Sequence, residues 1–338
     1  MGSFLHSHVP RLIRHTPTAT SCVWEHIPSV CKSMTCIPDA STTLADAWRG
    51  CARGDWLELL TRHVPKLFSA APVLVEVGAN KGYAAPEFLS LWTKRSPSMQ
   101  SWRAALEDLA YGRRPLLGET ATQMHGFLKA QICGACSDSC SRARRPPMME
   151  LDGARVHLIE LTKNNINLLR YAVNVTGSSE FVSVHHMAIS NASGEVKTVA
   201  VRLGTEYTSV VSSRTPKAYR LEPAPVEQLP LDLFLDRMGL GVVDVVSIDT
   251  EGHDALVLEG MRRTLSERRV TLLEFEYSGK GFWNPAHCPS PADHRTLQRS
   301  VAWLDKLGYR CYMQVAGCTR AHACLTQAPC SAAPLSGS

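Results

Sequence analysis

No stretch of the 338 residues approaches the ~18 consecutive apolar residues that a membrane-spanning helix needs, so no transmembrane segment is expected. No internal repeat is visible, which sets aside solenoid and propeller architectures. Aromatic residues do not alternate with the basic ones, so the stacking platform of a single-strand binder is missing and nucleic acid is not an expected partner. Residues 1–24 contain no Asp or Glu and no apolar signal-peptide core. Met1-Gly2 is followed by His6 where a myristoylation pattern needs Ser or Thr. With Arg11, Arg14 and several Ser, Thr and His residues, this segment shares its composition with organelle transit peptides and with plain disordered arms.

What is present suits a globular α/β chain: 44% hydrophobic residues, 20% charged, and a formal net charge of +5. The positive charge is local, since residues 91–150 hold nine Lys/Arg against five Asp/Glu, and reads as a solvated surface. Twelve cysteines are numerous for a reduced enzyme, and before residue 300 none falls in an expected core strand. Two glycosylation sequons, Asn174-Val-Thr176 and Asn191-Ala-Ser193, accompany them. Cytoplasm, organelle and secretory lumen are not distinguished by these features. Neither is the oligomeric state.

Residues 1–45 read as a loose arm, and a helical pattern runs over 44–67 with Trp48, Trp56, Leu59 and Leu60 as core candidates. Val73–Gly82 is an apolar run ending in a glycine turn, as expected of a buried parallel strand, and Tyr83–Trp92 should be its helix. Residues 94–150 break the rhythm with two weakly helical pieces (102–111 and 120–132) and the run Cys133-Gly-Ala-Cys136-Ser-Asp-Ser-Cys140, and read as an insertion. Three cysteines are too few for zinc without a further ligand such as His125, so disulfides or thiols are the preferred reading. Strands are then expected at 156–160, 181–189, 242–249, 270–275 and 309–315, with edge strands at 196–203 and 207–212. Helices are expected at 162–173, 231–238, 252–265 and 291–307, the first capped by Thr162. This alternation predicts a doubly wound, mostly parallel sheet of Rossmann-like type. It also divides the chain into an arm and helical lead-in (1–66), one α/β domain with its insertion (67–316) and a cysteine-containing tail (317–338).

Ligands of such sheets bind at the carboxyl ends of the strands, which directs attention to two turns. The first carries Glu76, Gly78, Asn80 and Gly82, in a spacing unlike the Gly-x-Gly-x-x-Gly of nicotinamide enzymes. Glu160 ends the second strand, where an acid accepts both ribose hydroxyl protons of a nucleoside. It lies 78 residues past Gly82, a gap that the insertion explains. The other turn ends a buried strand in Asp249, Glu251, His253 and Asp254, a density of ionisable groups that implies a pocket. A divalent ion on oxygen and imidazole ligands there is not diagnosed by the spacing, and no metal is expected.

The segment from Ile248-Asp249-Thr-Glu251-Gly252-His253-Asp254 to Gly260 resembles the Ile-Asp-x-Glu-Gly-x-Glu/Asp signature of FkbM-type methyltransferases, a branch of the class I S-adenosylmethionine (SAM) enzymes. Val73–Gly82 is similar to the family's opening motif, Ala188–Gly194 to its Ala-x-Ser-Asp-x-x-Gly segment, and Leu229–Asp232 to its Thr-Leu-Asp. Two departures stand out: Leu161 follows Glu160 where the family has proline, and Ser247 replaces the usual lysine. The resemblance implies O-methylation of a hydroxyl on a sugar or other small metabolite. It implies SAM binding by Glu76, Gly78, Asn80, Gly82, Glu160 and Ala188, with Asp249, Glu251 and His253 as catalytic candidates. A SAM-binding or cysteine-tethered protein without turnover is the alternative of a different class.

Overall fold

The computed structural model describes residues 18–24, 57, 61, 65–111, 153–198, 224–277, 281–286, 288, 295–314 and 322–324. In chain order the strands are β1 (Thr18–Trp24), β2 (Val73–Val77), β3 (Arg155–Glu160), β4 (Val182–His186), β5 (Ala188–Ser190), β6 (Gly194–Val196), β7 (Val226–Pro230), β8 (Val243–Ile248), β9 (Val270–Tyr277), β10 (Tyr309–Gln314) and β11 (His322–Cys324). The helices are α1 (Ala84–Trp92), α2 (Met99–Tyr111), α3 (Lys163–Val175), α4 (Leu231–Arg237), α5 (Asp254–Glu259), α6 (Arg262–Ser266) and α7 (Leu297–Lys306).

The main sheet runs β11-β10-β1-β9-β8-β2-β3-β4. Its five strands from β9 to β4 are all parallel, whereas β1 is antiparallel to both of its neighbours. Burial on both faces explains why β8 is apolar nearly throughout and has no exposed residue. The period-two alternation divides the core. Leu74, Val156, Leu158 and Val245 pack under α1, α2 and α3, while Val75, Val77, Val246 and Ile248 pack under α4 to α7. This is the Rossmann-like, doubly wound arrangement that the strand–helix rhythm predicts.

One polar residue inside the run of β8 has a structural role. Asp244 is 1% exposed, and its carboxylate accepts bonds from the Ser69 N–H (2.6 Å), the Ser69 hydroxyl (2.8 Å) and the Val73 N–H (2.8 Å). It thereby ties the entry of β2 to β8, and a buried carboxylate with three donors is a stable arrangement.

Several expectations are revised by packing. Thr18–Trp24, inside the stretch read as a loose arm, forms a strand between β9 and β10. Residues 99–110, read as part of an insertion, belong to the core. Trp102 and Leu106 are fully buried, and the Trp102 indole donates to the Lys81 carbonyl at 2.9 Å. Residues 112–150 of that stretch, with 120–132, His125 and the three cysteines, lie outside the described residues, as do Trp48, Trp56, Leu59, Leu60 and the edge strand expected at 207–212.

The strand expected at 181–189 breaks at Met187 into β4 of the main sheet and β5 of a second, three-stranded sheet of order β5-β7-β6. The helix expected at 252–265 breaks into α5 and α6 at Gly260. A Cβ there would lie 1.9 Å from the Ser190 carbonyl oxygen, so β5 presses against the helix where only glycine fits. Thr162 does precede α3 in an extended conformation, but its hydroxyl makes no cap and donates to Glu160 instead.

Candidate functional site

The chain crosses from β2 through β3 to β4 on one side, then returns to β8 and β9 on the other. The order therefore reverses between β2 and β8, and the crevice at a reversal point is where open α/β sheets receive ligands. Three turns meet at this carboxyl edge.

The turn after β2 is built on left-handed backbone: Gly78 at φ 84°, Asn80 at φ 50° and Gly82 at φ 66°. Gly78 and Ala79 both donate to the Ile159 carbonyl at 2.9 Å, and Asp249 N–H donates to the Val77 carbonyl at 2.9 Å. A Cβ on Gly78 would lie 1.9 Å from the Asp249 carbonyl oxygen. One on Gly82 would lie 2.5 Å from a Leu169 methyl carbon and 2.9 Å from one of Leu158. These two glycines are required by the protein's own close packing of turn on turn and helix on strand.

Glu160 joins the first turn to the second. It is 6% exposed and accepts from the Asn80 N–H (2.8 Å), the Thr162 N–H (2.7 Å) and the Thr162 hydroxyl (2.8 Å). Burial raises its pKa, and these hydrogen bonds oppose the rise by favouring the charged form. Asn165, 2% exposed on α3, reaches the Asn80 side chain at 3.5 Å. Glu76 is buried on β2, opposite Leu158 on one side and Ser247 on the other. Ser247 is thus the direct cross-strand neighbour of Glu76.

The third turn follows β8. Asp249 is exposed at the crevice; Glu251 and His253 are half-buried. Glu251 holds φ 54°, a left-handed conformation uncommon for a residue with a side chain, mirrored across the crevice by Asn80. Asp254, wholly buried, holds the turn together. It accepts from Gly252 N–H at 3.1 Å, Glu276 N–H at 3.3 Å and Thr250 N–H at 3.4 Å. Burial first, and then the charge of Asp249, push its pKa up to about 7. The His253 ring packs edge-on against Phe282, with centroids 5.3 Å apart, and burial lowers its pKa.

A second layer supports this turn from outside. Phe282 N–H donates to the Gly252 carbonyl at 2.9 Å, and a Cβ on Gly281 would lie 2.4 Å from the same oxygen. Sequence reasoning passed over Gly281 and Phe282, because nothing in their local pattern signals a contact with residues 29 and 30 positions upstream.

The structure thus brings Glu76, Gly78, Asn80, Gly82, Glu160, Asp249, Glu251 and His253 to one edge of the sheet. Ala188 does not join them directly. It opens β5, paired with Gln228, next to Met187, whose N–H donates to the Glu160 carbonyl at 3.2 Å. Among the described residues no three His, Cys, Asp or Glu side chains are grouped to hold a metal ion. No helix among them is long and apolar enough to cross a membrane.

A family model described as the methyltransferase FkbM domain matches residues 133–311, just over half of the chain. The chain belongs to the FkbM methyltransferase family. This FkbM-domain match contains the second and third turns but begins after the first, which geometry alone ties in through Glu160, Gly78 and Asp249. No curated protein and no solved structure matches the chain.

Proposed function

We propose that this methyltransferase uses S-adenosylmethionine to methylate a hydroxyl group of a small-molecule or glycan acceptor. The observation that carries the reading is the meeting of three acid-bearing turns at the sheet's reversal point, where Glu160 bridges the first two.

The residues fit such a cofactor in their chemistry. Glu76, Glu160 and Asp249 place carboxylates around the crevice, which favours a ligand carrying positive charge and ribose hydroxyls. Glu160 would accept the ribose hydroxyl protons, while Glu76, Gly78, Asn80 and Gly82 would hold the methionine portion. Ala188, one residue beyond the Met187–Glu160 hydrogen bond, is the remaining cofactor candidate. The bound cofactor supplies an electrophilic methyl group on a cationic sulfur. In-line transfer then depends mainly on holding the acceptor oxygen at attack distance.

A hydroxyl needs a base to take its proton as the new O–C bond forms. His253 suits the task because its lowered pKa keeps the imidazole neutral at pH 7. Asp249 and Glu251 would orient the acceptor beside it. His253→Ala is expected to cut turnover on the order of 10²-fold or more. SAM affinity should change far less in that variant than in Glu160→Gln.

The reading is tested with methyl-labelled SAM and a panel of hydroxylated acceptors, following label into a base-stable methyl ether. Wild-type turnover by His253→Ala would leave a carboxylate or water as the base. Label transferred only to nitrogen or carbon would overturn the hydroxyl assignment.

A further inference from the structure

Cys311 lies in β10, fully buried among the residues under α7, and it is disulfide-bonded. A disulfide requires Cα atoms within about 7 Å, so its partner must stand on a neighbouring segment. Among the described strands β10 has two neighbours, β11 and β1, and each carries one cysteine. On the β11 side Cys324 stands opposite Tyr312. Successive residues of a strand point to opposite faces, so Cys324 occupies the register position of the face that Cys311 does not share. On the β1 side Cys22 stands directly opposite Cys311. Directly opposed residues share a face and have Cβ atoms about 5 Å apart, close to disulfide spacing. Cys288 is a buried thiol whose sulfur donates to the carbonyls of Phe282 (3.7 Å) and Asn284 (3.3 Å), away from this register.

We infer that Cys22 and Cys311 form a cross-strand disulfide that staples the N-terminal strand into the middle of the main sheet. The position has consequences for the site. β1 is the only link between β9 and β10 in the order of the described strands, and its first residues pair Thr18 with Tyr277 and Ala19 with Glu276. Glu276 is the residue whose N–H supports Asp254. The staple therefore secures, through β1, the strand end that supports the turn bearing Asp249, Glu251 and His253. A bond between positions so distant in the chain also restricts the unfolded ensemble strongly.

The bond forms by thiol–disulfide exchange with a disulfide donor such as oxidised glutathione or an oxidised dithiol oxidoreductase. Two thiols lose two electrons and two protons, the donor's S–S bond breaks, and two donor thiols are released. Such a bond persists in an oxidising compartment. The asparagines of both sequons, Asn174 and Asn191, are exposed, as glycan acceptors in such a compartment must be.

The test uses the full chain, equilibrated in oxidised glutathione buffer, alkylated under denaturing conditions and digested without reductant. Mass spectrometry should find one linked pair of peptides carrying Cys22 and Cys311, lost on reduction. Cys311 linked to any other cysteine, or both residues alkylated, overturns the inference. Hydrogen exchange on the same protein tests the staple itself. Reduction should lower amide protection across 18–24 by tenfold or more. Unchanged protection there would refute the stapling role even if the bond exists. Cys22→Ser should make Cys311 alkylatable without reductant, and a Cys311 that stays blocked in that variant counts against the pairing.

Discussion

Gly78→Ala is expected to prevent stable folding or to cost several kcal/mol, even though it adds a single methyl group. The added carbon would lie 1.9 Å from the Asp249 carbonyl oxygen, which is backbone and cannot rotate aside. That oxygen is fixed because Asp249 N–H is itself bonded to Val77 at the end of β2. The residue must also hold φ 84°, which costs an L-residue roughly 1–2 kcal/mol by itself. Gly177→Ala separates the two causes. It has a similar φ of 65° but nothing within 4 Å of the added carbon, so it should lose only the conformational share. Urea unfolding of the two variants makes the comparison. Equal losses would mean that the contact between the first and third turns is not the reason for glycine at 78.

The second large effect belongs to Asp254. Asp254→Ala should destabilise the protein by about 3 kcal/mol or more, because it leaves buried N–H groups of Gly252, Glu276 and Thr250 without their acceptor. Activity should fall with it, since the same bonds hold Glu251 and His253 in place. The pH dependence provides a sharper reading. Asp254 has its pKa raised to about 7 from a reference value of 3.8, so the folded state binds its proton more tightly than the unfolded state does. Its contribution is fully present below about pH 4 and is lost as pH rises through about 7. A single proton changes stability by at most about 1.4 kcal/mol per pH unit in this window. Unfolding curves from pH 5 to 8 should show a decline in the wild type that is missing in Asp254→Asn. Parallel curves for the two proteins would show that Asp254 does not titrate there.

The parallel core was legible because its strands are apolar runs ending in acids or glycines, a pattern imposed by burial on both faces. Glu160 and Asp249 could be placed at strand ends for that reason. The breaks were not legible. Gly260 divides a helix because β5 crowds it, and that contact is made with a residue 70 positions earlier. The role of β1 was hidden for the same reason. Thr18–Trp24 has the Ser/Thr-rich composition of a loop, and only its pairing with β9 and β10 makes it a strand. In α2 the signal existed, since Trp102, Ala105, Leu106 and Ala110 recur at helical spacing and are all buried. By sequence the piece 102–111 reads as helical, but the charged surroundings and the later cysteines assign it to an insertion and not to the core. At the site, sequence identified the glycines but not what fills the space beside them. Gly78 serves a contact between turns and Gly82 a contact of helix on strand, and by that packing they set the shape of the crevice.

The central claim is that SAM binds where the turns after β2, β3 and β8 meet. Calorimetric titration of the wild type and of Glu160→Gln with SAM, with a nicotinamide dinucleotide as control, tests it most directly. One SAM per chain should bind to the wild type, with affinity reduced tenfold or more in Glu160→Gln and no heat from the dinucleotide. Absence of SAM binding by a folded wild type, or equal affinity in the two proteins, would contradict the account.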